Sequence, residues 1–377
     1  MTMHASVTSG LGEKIAQSIH AQGGWIGFDD FMAQALYTPQ SGYYARQTQK
    51  FGWMAPGSGR LSGGDFVTAP ELSPLFGRTL ARQVAEALTQ TDTDCVWEFG
   101  AGTGQMTLQI LQGLQALGHA LPRYRVVELS AALRALQQKT LAAFVDHVDW
   151  VESLPERMQG VVLGNELIDA MPVKLLNRVD GVWHERGVSL GVPDRSSRAP
   201  LVWQDRPTAL RPPVAVAGEH DYLTEIHEQG EAFVRTLGEK LLKGAVFLID
   251  YGFPEAQYYH PQRHMGTLMC HHLHRADTDP LSLVGEKDIT AHVNFTGLAL
   301  AGQEVGLEVL GYCNQAHFLI NCGFAQELSQ LDQAGRVMAQ RLIMEHEMGE
   351  LFKCMAWVKG PAWHAMGFSH GDKTHTL

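Results

Sequence analysis

Residues 94–104 read Asp-Cys-Val-Trp-Glu-Phe-Gly-Ala-Gly-Thr-Gly, and few folds can accommodate that order. The short apolar run ending at Phe99 predicts a buried strand. Gly100, Gly102 and Gly104 follow at alternate positions. Beyond them Met106, Leu108, Ile110, Leu111 and Leu114 recur at helical spacing and predict a helix over 104–117. Strand, glycine turn and helix is how a parallel α/β sheet builds a ligand site at its carboxyl edge. Gly100 permits the tight turn. Gly102 lets a ligand approach backbone that carries no Cβ, and Gly104 lets the helix start close to the strand.

The spacing selects the ligand. Gly-x-Gly-x-Gly is not the Gly-x-Gly-x-x-Gly of dinucleotide sites. Glu98, two residues before the first glycine, would repel a pyrophosphate. It suits a ligand with a cationic amino-acid end and no phosphate, which describes S-adenosylmethionine. The next predicted strand, 122–128, ends in Glu128, thirty residues after Glu98. An acid there can accept both hydroxyls of a ribose, each charge-assisted bond contributing about 1.5–3 kcal/mol. The competing interpretation is a glycine turn without a ligand and a surface Glu128.

At 377 residues the chain is long enough for two or three domain-sized units, or for one enlarged α/β domain with insertions. A net charge of −11 argues against a nucleic-acid partner or an anionic membrane surface. Five scattered cysteines, none in a Cys-x-x-Cys pair, are expected as reduced thiols. Residues 1–22 lack an apolar core and arginine, so neither a signal nor a transit peptide is expected and the location expected is cytoplasmic. No apolar run reaches about 18 residues, so no membrane insertion is expected.

Along the chain, helices are predicted at 8–21 and 29–37, with Gly23–Gly27 as their joint and Asp29 as a cap of the second. Residues 47–64 read as a Gly/Ser-rich loop. Residues 65–74 lead into a helix over 75–89 and form either a lid over the ligand or a plain connector. Strand 94–99, helix 104–117, strand 122–128, helix 130–143, strand 148–151 and strand 160–164 alternate as a doubly wound parallel sheet requires. Residues 173–218 read as strands plus a Pro-rich excursion. Residues 222–241 are predicted helical, 245–252 a buried strand ending at Asp250, 295–303 and 324–345 helices, 307–312 and 351–358 strands. The expected organisation is a helical N-terminal region with a lid-like loop over 1–90, a catalytic domain over 91–360 with an insertion near 173–220, and a tail over 361–377.

Two polar clusters stand outside this frame. Cys270-His271-His272-Leu273-His274 offers metal-ligand types, but a partner at metal spacing is missing, and ordinary polar contacts are expected instead of a metal. Asp288 to Phe295 either borders an acceptor pocket or caps a helix beginning near Phe295, with Asn294 as the cap. After strand 160–164 the polar run Asn165-Glu166-Leu167-Ile168-Asp169 sits where α/β enzymes place chemistry.

Taken together, these segments resemble the MidA-type class I methyltransferases, whose mitochondrial members are protein arginine methyltransferases that assist assembly of respiratory complex I. The resemblance rests on Tyr37-Thr38-Pro39 with Gly42-Tyr43-Tyr44, and on Gly64 to Ser73 followed by Phe76-Gly77. It continues in Glu98 to Gly104, Asn165 to Val173, Ile249 to Gly252, and Asp288 to Val293 with Phe295. The chain departs from the family pattern in loop 47–63, at Leu72 and Met171, and over 190–218. The resemblance implies a seven-stranded Rossmann-like methyltransferase sheet whose last strand, 351–358, runs antiparallel. It implies S-adenosylmethionine as cofactor and S-adenosylhomocysteine as product, with Glu98, Gly100, Gly102, Gly104, Glu128, Asn165 and Thr68 around the cofactor. It also implies a protein acceptor, in the family an NADH dehydrogenase subunit. Arginine, with a pKa of about 13.8, must lose a proton as it attacks. Glu166 and Asp169 are the candidate carboxylates for holding the guanidinium, with Asp250 a weaker third. Asp169 has a cap or a backbone bond as its plain alternative, and Glu166 has a cofactor contact. A small-molecule methyltransferase and a non-catalytic assembly factor remain open as other functions.

Overall fold

The computed structural model describes residues 10–46, 67–192 and 199–377. The expected loop over 47–64, with Asp65 and Phe66, lies outside the described residues, as do 1–9 and part of the 190–218 excursion. The chain forms two compact units. One, the sheet unit, comprises Lys50–Ile168, Glu231–Pro254 and Phe295–Leu377. The other comprises Met1–Gln49, Asp169–Gly230 and Glu255–Asn294.

In the sheet unit the strands are β1 (Cys95–Phe99), β2 (Arg123–Val127), β3 (Val148–Val151), β4 (Met158–Asn165), β5 (Leu241–Phe253), β6 (Glu308–Asn314) and β7 (Phe352–Lys359). Their order across the sheet is β3-β2-β1-β4-β5-β7-β6. All neighbours up to β5 are parallel, and β7 runs antiparallel to both β5 and β6. The expected antiparallel last strand is therefore present. Every residue of β1 is buried, as a strand covered on both faces requires. The strand order reverses between β1 and β4, so the carboxyl ends of those two strands flank the crevice where such sheets bind ligands.

Helices α1 (Leu75–Gln90) and α2 (Gln105–Ala116) pack on this sheet and on each other at close range. Small residues allow it. A Cβ on Gly77 would lie 2.4 Å from the Cβ of Gln109, and one on Gly113 would lie 2.6 Å from the Cβ of Ala81. Beneath them Val96, Ile110, Leu114, Val126 and Val161 form part of a continuous apolar core.

The second unit is built differently. Trp25–Gly27, Lys174–Val179, Val182–Leu190, Leu201–Pro207 and Tyr222–Ile226 form an antiparallel sheet. Met269–His272 lies between Arg275–Asp277 and Asp288–Thr290 in a smaller one. Helices Leu11–Ala21 and Phe28–Tyr37 belong to this unit.

Several local expectations change. The joint at 23–27 contains a strand, because Trp25–Gly27 pairs with residues 187–189. Gly27 caps the following helix, and Asp29 instead forms an ion pair with Lys174 at 2.8 Å. The helix expected over 222–241 begins only at Glu228. Tyr222–Ile226 is a strand, since its backbone pairs antiparallel with residues 174–178. The helix expected over 324–345 is broken into Phe324–Leu328 and Gln333–Gln340, the second begun by Asp332, whose carboxylate accepts the Gly335 amide at 2.8 Å.

Gly113→Leu tests the close helix crossing. The added side chain must displace Ala81 and the Arg78 backbone, so urea unfolding is expected to show a loss of about 1–3 kcal/mol. An unchanged midpoint would mean that α1 and α2 do not meet there.

Candidate functional site

The site in the sheet unit is assembled at the carboxyl ends of β1, β2, β4 and β5. The three loop glycines all take left-handed backbone, with φ of +66° at Gly100, +53° at Gly102 and +84° at Gly104. Each is thus favoured by conformation, because an L side chain is strained there. Gly104 directly precedes α2, whose first turn opens toward the loop.

Glu98 is wholly buried between α2 and β2. Its Oε2 accepts hydrogen bonds from Thr107 at 2.8 Å and from the Tyr124 hydroxyl. Its Oε1 is buried with no hydrogen-bond partner among the described residues. Burial pushes its pKa up to about 7 against those two bonds, which pull it down. The sequence pointed to Glu98 but not to Thr107 or Tyr124. Only the helical spacing of Thr107, three residues past Gly104, hinted that it faces the strand.

Glu128 follows β2 directly and is nearly buried. Its Oε1 accepts the Ser130 amide at 2.7 Å, and its Oε2 accepts the Gln137 side-chain amide at 3.0 Å. Asn165 ends β4 and donates to Glu166 Oε1 at 3.0 Å, while its own buried Oδ1 has no hydrogen-bond partner among the described residues. Glu166 takes φ of +50°, unusual for any residue but glycine and costing on the order of 1–3 kcal/mol. Its amide donates to the Ile249 carbonyl at 2.9 Å, and its carboxylate accepts the Ala69 amide at 3.4 Å. Asp250, at 1% exposure, accepts the amides of Leu167 at 3.1 Å, Ile168 at 2.8 Å and Tyr251 at 2.9 Å. It serves as the anchor of the turn after β4.

Thr68 caps the short helix Ala69–Leu72 with its backbone and makes no side-chain capping bond. That segment is tied down: Glu71 accepts from Thr103, and the Pro70 carbonyl accepts from Gln109 at 2.7 Å. Residues 67–73 are therefore latched to the glycine loop and α2.

Asp169 belongs to the second unit. Its carbonyl accepts the Ala291 amide at 2.9 Å. In the same unit Tyr37 stacks on Tyr44 with ring centres 5.6 Å apart and planes inclined by 18°. The Tyr44 hydroxyl donates to Asp288 at 2.9 Å, and that of Tyr37 to the Ala170 carbonyl at 2.7 Å. Asp169 and Asp288 are both buried. Burial, then the charges of Asp288 and Asp169, raise the Tyr37 phenol far above its usual range, so both acids lie near it. Tyr37 nevertheless keeps 44% of its surface exposed. The sequence marked Tyr37, Tyr44 and Asp288 as motif positions without giving them a role.

The Cys270 cluster is a strand feature. Residues 269–272 lie on the central strand of the small sheet, where alternation turns Cys270 and His271 to opposite faces. His272 bonds the Glu286 carbonyl at 2.9 Å. Among the described residues no three His, Cys, Asp or Glu side chains converge as metal ligands. All five cysteines are free and buried.

The seven-strand order, the left-handed glycine loop and the strand-end acids define a class I methyltransferase sheet. The chain belongs to a family of S-adenosyl-L-methionine-dependent methyltransferases whose profile matches residues 79–313. It is similar, at 45% identity and a TM-score of 0.91, to a solved superfamily member from Burkholderia thailandensis bound to S-adenosyl-homocysteine, with 98% of this chain and 97% of that one covered. Protein arginine methyltransferase NDUFAF7, mitochondrial, of Danio rerio is 25% identical over 93% of this chain and 87% of its own length. The human protein of that name is 24% identical over 87% and 78% respectively.

The cofactor is S-adenosylmethionine, and the residues fit it. Glu98 Oε1 and Asn165 Oδ1 are buried acceptors in want of donors, and Glu128 presents a fixed carboxylate at a strand end. Buried acceptors suit a ligand that brings donors and a cationic end.

Glu98→Gln tests this electrostatic picture. The unfolded carboxyl ionises near its ordinary 4.5, and the folded one near 7. The stability contributed by the neutral form is complete below pH 4.5 and is lost as pH rises through 7. The glutamine does not titrate. Relative to wild type, the variant is expected to gain about 3 kcal/mol in urea unfolding between pH 4.5 and pH 8. A difference that stays constant with pH would contradict a raised Glu98 pKa.

Proposed function

We propose that the chain methylates an arginine side chain of a protein acceptor, and that the acceptor is a subunit of respiratory NADH dehydrogenase. The observation that carries the arginine reading is the group formed in the second unit by Asp169, Asp288, Tyr37 and Tyr44. A guanidinium is planar and cationic. It pairs with carboxylates and stacks on aromatic rings, and this group provides both surfaces. The names of the curated relatives point the same way.

When bound, S-adenosylmethionine supplies a methyl group on a sulfonium, which a nitrogen lone pair can attack. The protein must orient that nitrogen and receive its proton. Holding the reactants in line supplies roughly 7–11 kcal/mol. Removing the arginine proton beforehand at pH 7 would cost on the order of 9 kcal/mol, so the proton leaves during attack. Asp169 is the carboxylate we assign to the guanidinium, localising its charge away from the attacking nitrogen. Glu166 is the second candidate, held in its strained backbone by β4 and Asp250.

The test is mass spectrometry of hypomethylated NADH dehydrogenase after incubation with isotopically labelled S-adenosylmethionine. Methylarginine should form with wild type. Asp169→Asn and Glu166→Gln should each slow single-turnover methylation by about 10²–10⁴-fold while cofactor affinity changes little. Wild-type turnover by Glu166→Gln would remove Glu166 from the guanidinium. Label on a small molecule and none on protein would favour a small-molecule acceptor.

A further inference from the structure

The helix α3 (Ala131–Thr140) buries just one of its residues completely, and that residue is Gln137, a polar one. A helix laid on a sheet ordinarily buries an apolar stripe. Here the buried side chain is an amide, and both of its donor bonds go to the cofactor edge of the sheet. The Gln137 amide nitrogen donates to the Gly102 carbonyl at 2.9 Å and to Glu128 Oε2 at 3.0 Å. Its oxygen accepts from the Trp150 indole at 3.0 Å. An indole nitrogen only donates and a carbonyl only accepts, so the amide can lie one way round. Trp150 thereby aims both amide hydrogens at the site.

The two groups it joins belong to different strands. Gly102 is the middle of the loop after β1, and Glu128 ends β2. The Ser130 amide holds the other oxygen of Glu128 at 2.7 Å, so the carboxylate is gripped at both ends. Gln137 also backs the third loop glycine: a Cβ on Gly104 would lie 3.4 Å from its Cγ.

We propose that Gln137, oriented by Trp150, is a positioning residue that sets the glycine loop and the Glu128 carboxylate at the fixed separation needed to hold the ribose hydroxyls of the cofactor. It acts through Glu128 and touches no reacting atom. This inference rests on the cofactor alone and is independent of the acceptor.

The experiment is calorimetric titration of the full chain with S-adenosylhomocysteine and with its 2′-deoxy analogue. Wild type should prefer the complete ligand by about tenfold to a hundredfold, the size of one charge-assisted hydrogen bond. In Gln137→Leu that preference should fall to within about threefold of unity. Overall destabilisation would weaken both ligands alike and leave the ratio unchanged. Trp150→Phe keeps the aromatic ring and releases the amide, and should move the ratio in the same direction by less. It carries the test by itself if Gln137→Leu does not fold. Adding Gln137→Leu to Glu128→Gln should cost no further discrimination, since the two act in one chain of contacts. A wild-type ratio retained in Gln137→Leu, or in Trp150→Phe alone, would overturn the proposal. So would a wild-type protein that does not distinguish the two ligands.

Discussion

The turn that follows β4 depends on one buried carboxylate. Asp250 sits near the end of β5, and its two oxygens accept three backbone amides, from Leu167, Ile168 and Tyr251. Accepting a buried backbone amide spares it the desolvation penalty of an unpaired donor, about 1–3 kcal/mol each. Those amides would otherwise be unpaired donors where the chain leaves the sheet. With them satisfied, the chain can hold Glu166 at φ of +50°. An acid near the end of β5 thus shapes the turn that carries Glu166 just after β4. The oxygens of Asp250, the weaker third candidate for the guanidinium, accept these backbone amides and so shape the turn.

The same economy governs the loop after β1. Three left-handed glycines within five residues are a poor intrinsic conformation, and each loses more chain entropy than another residue would. The loop persists because it is tied from several sides. Thr103 bonds Glu71, Gln109 bonds the Pro70 carbonyl, and Gln137 bonds the Gly102 carbonyl. The rigid part of the site is therefore a hydrogen-bonded mesh laid over an apolar core, with its remaining buried acceptors on Glu98 and Asn165. Leaving acceptors unmade is costly in a folded chain. A mesh that retains them is suited to a ligand that arrives with donors.

What could be read in the sequence was what local periodicity encodes. Strand 94–99, the glycines and helix 104–117 fall within a residue of where alternation and helical spacing place them, because each element carries its own pattern. The parallel order up to β5 followed from the alternation of strands and helices. The segment Tyr222–Ile226 was misread because its polar residues continue a plausible helical face into Glu228–Lys240. Only its pairing with Lys174–Val179, some fifty residues earlier, makes it a strand. The break near Asp332 was missed because one capping carboxylate outweighs a continuous apolar period. The acids at strand ends were visible because their positions follow from the strands. Their partners were not: Thr107, Tyr124, Gln137 and Trp150 are ordinary residues whose roles arise from tertiary contact.

The acceptor group proposed in the second unit is harder to read from sequence than the cofactor edge. Its aromatic and acidic group draws Tyr37 and Tyr44 from the N-terminal segment, Asp169 from the middle of the chain and Asp288 from a strand more than a hundred residues later. No window of sequence contains it. The cofactor edge, by contrast, is built from consecutive βα units, in which the ligand-facing residues recur at strand ends by topology. A site shared by many methyltransferases can be encoded locally because the ligand never changes. A site that selects one acceptor is free to be assembled from whatever segments the fold gathers, and the group we assign to the guanidinium is gathered from three separated stretches of chain.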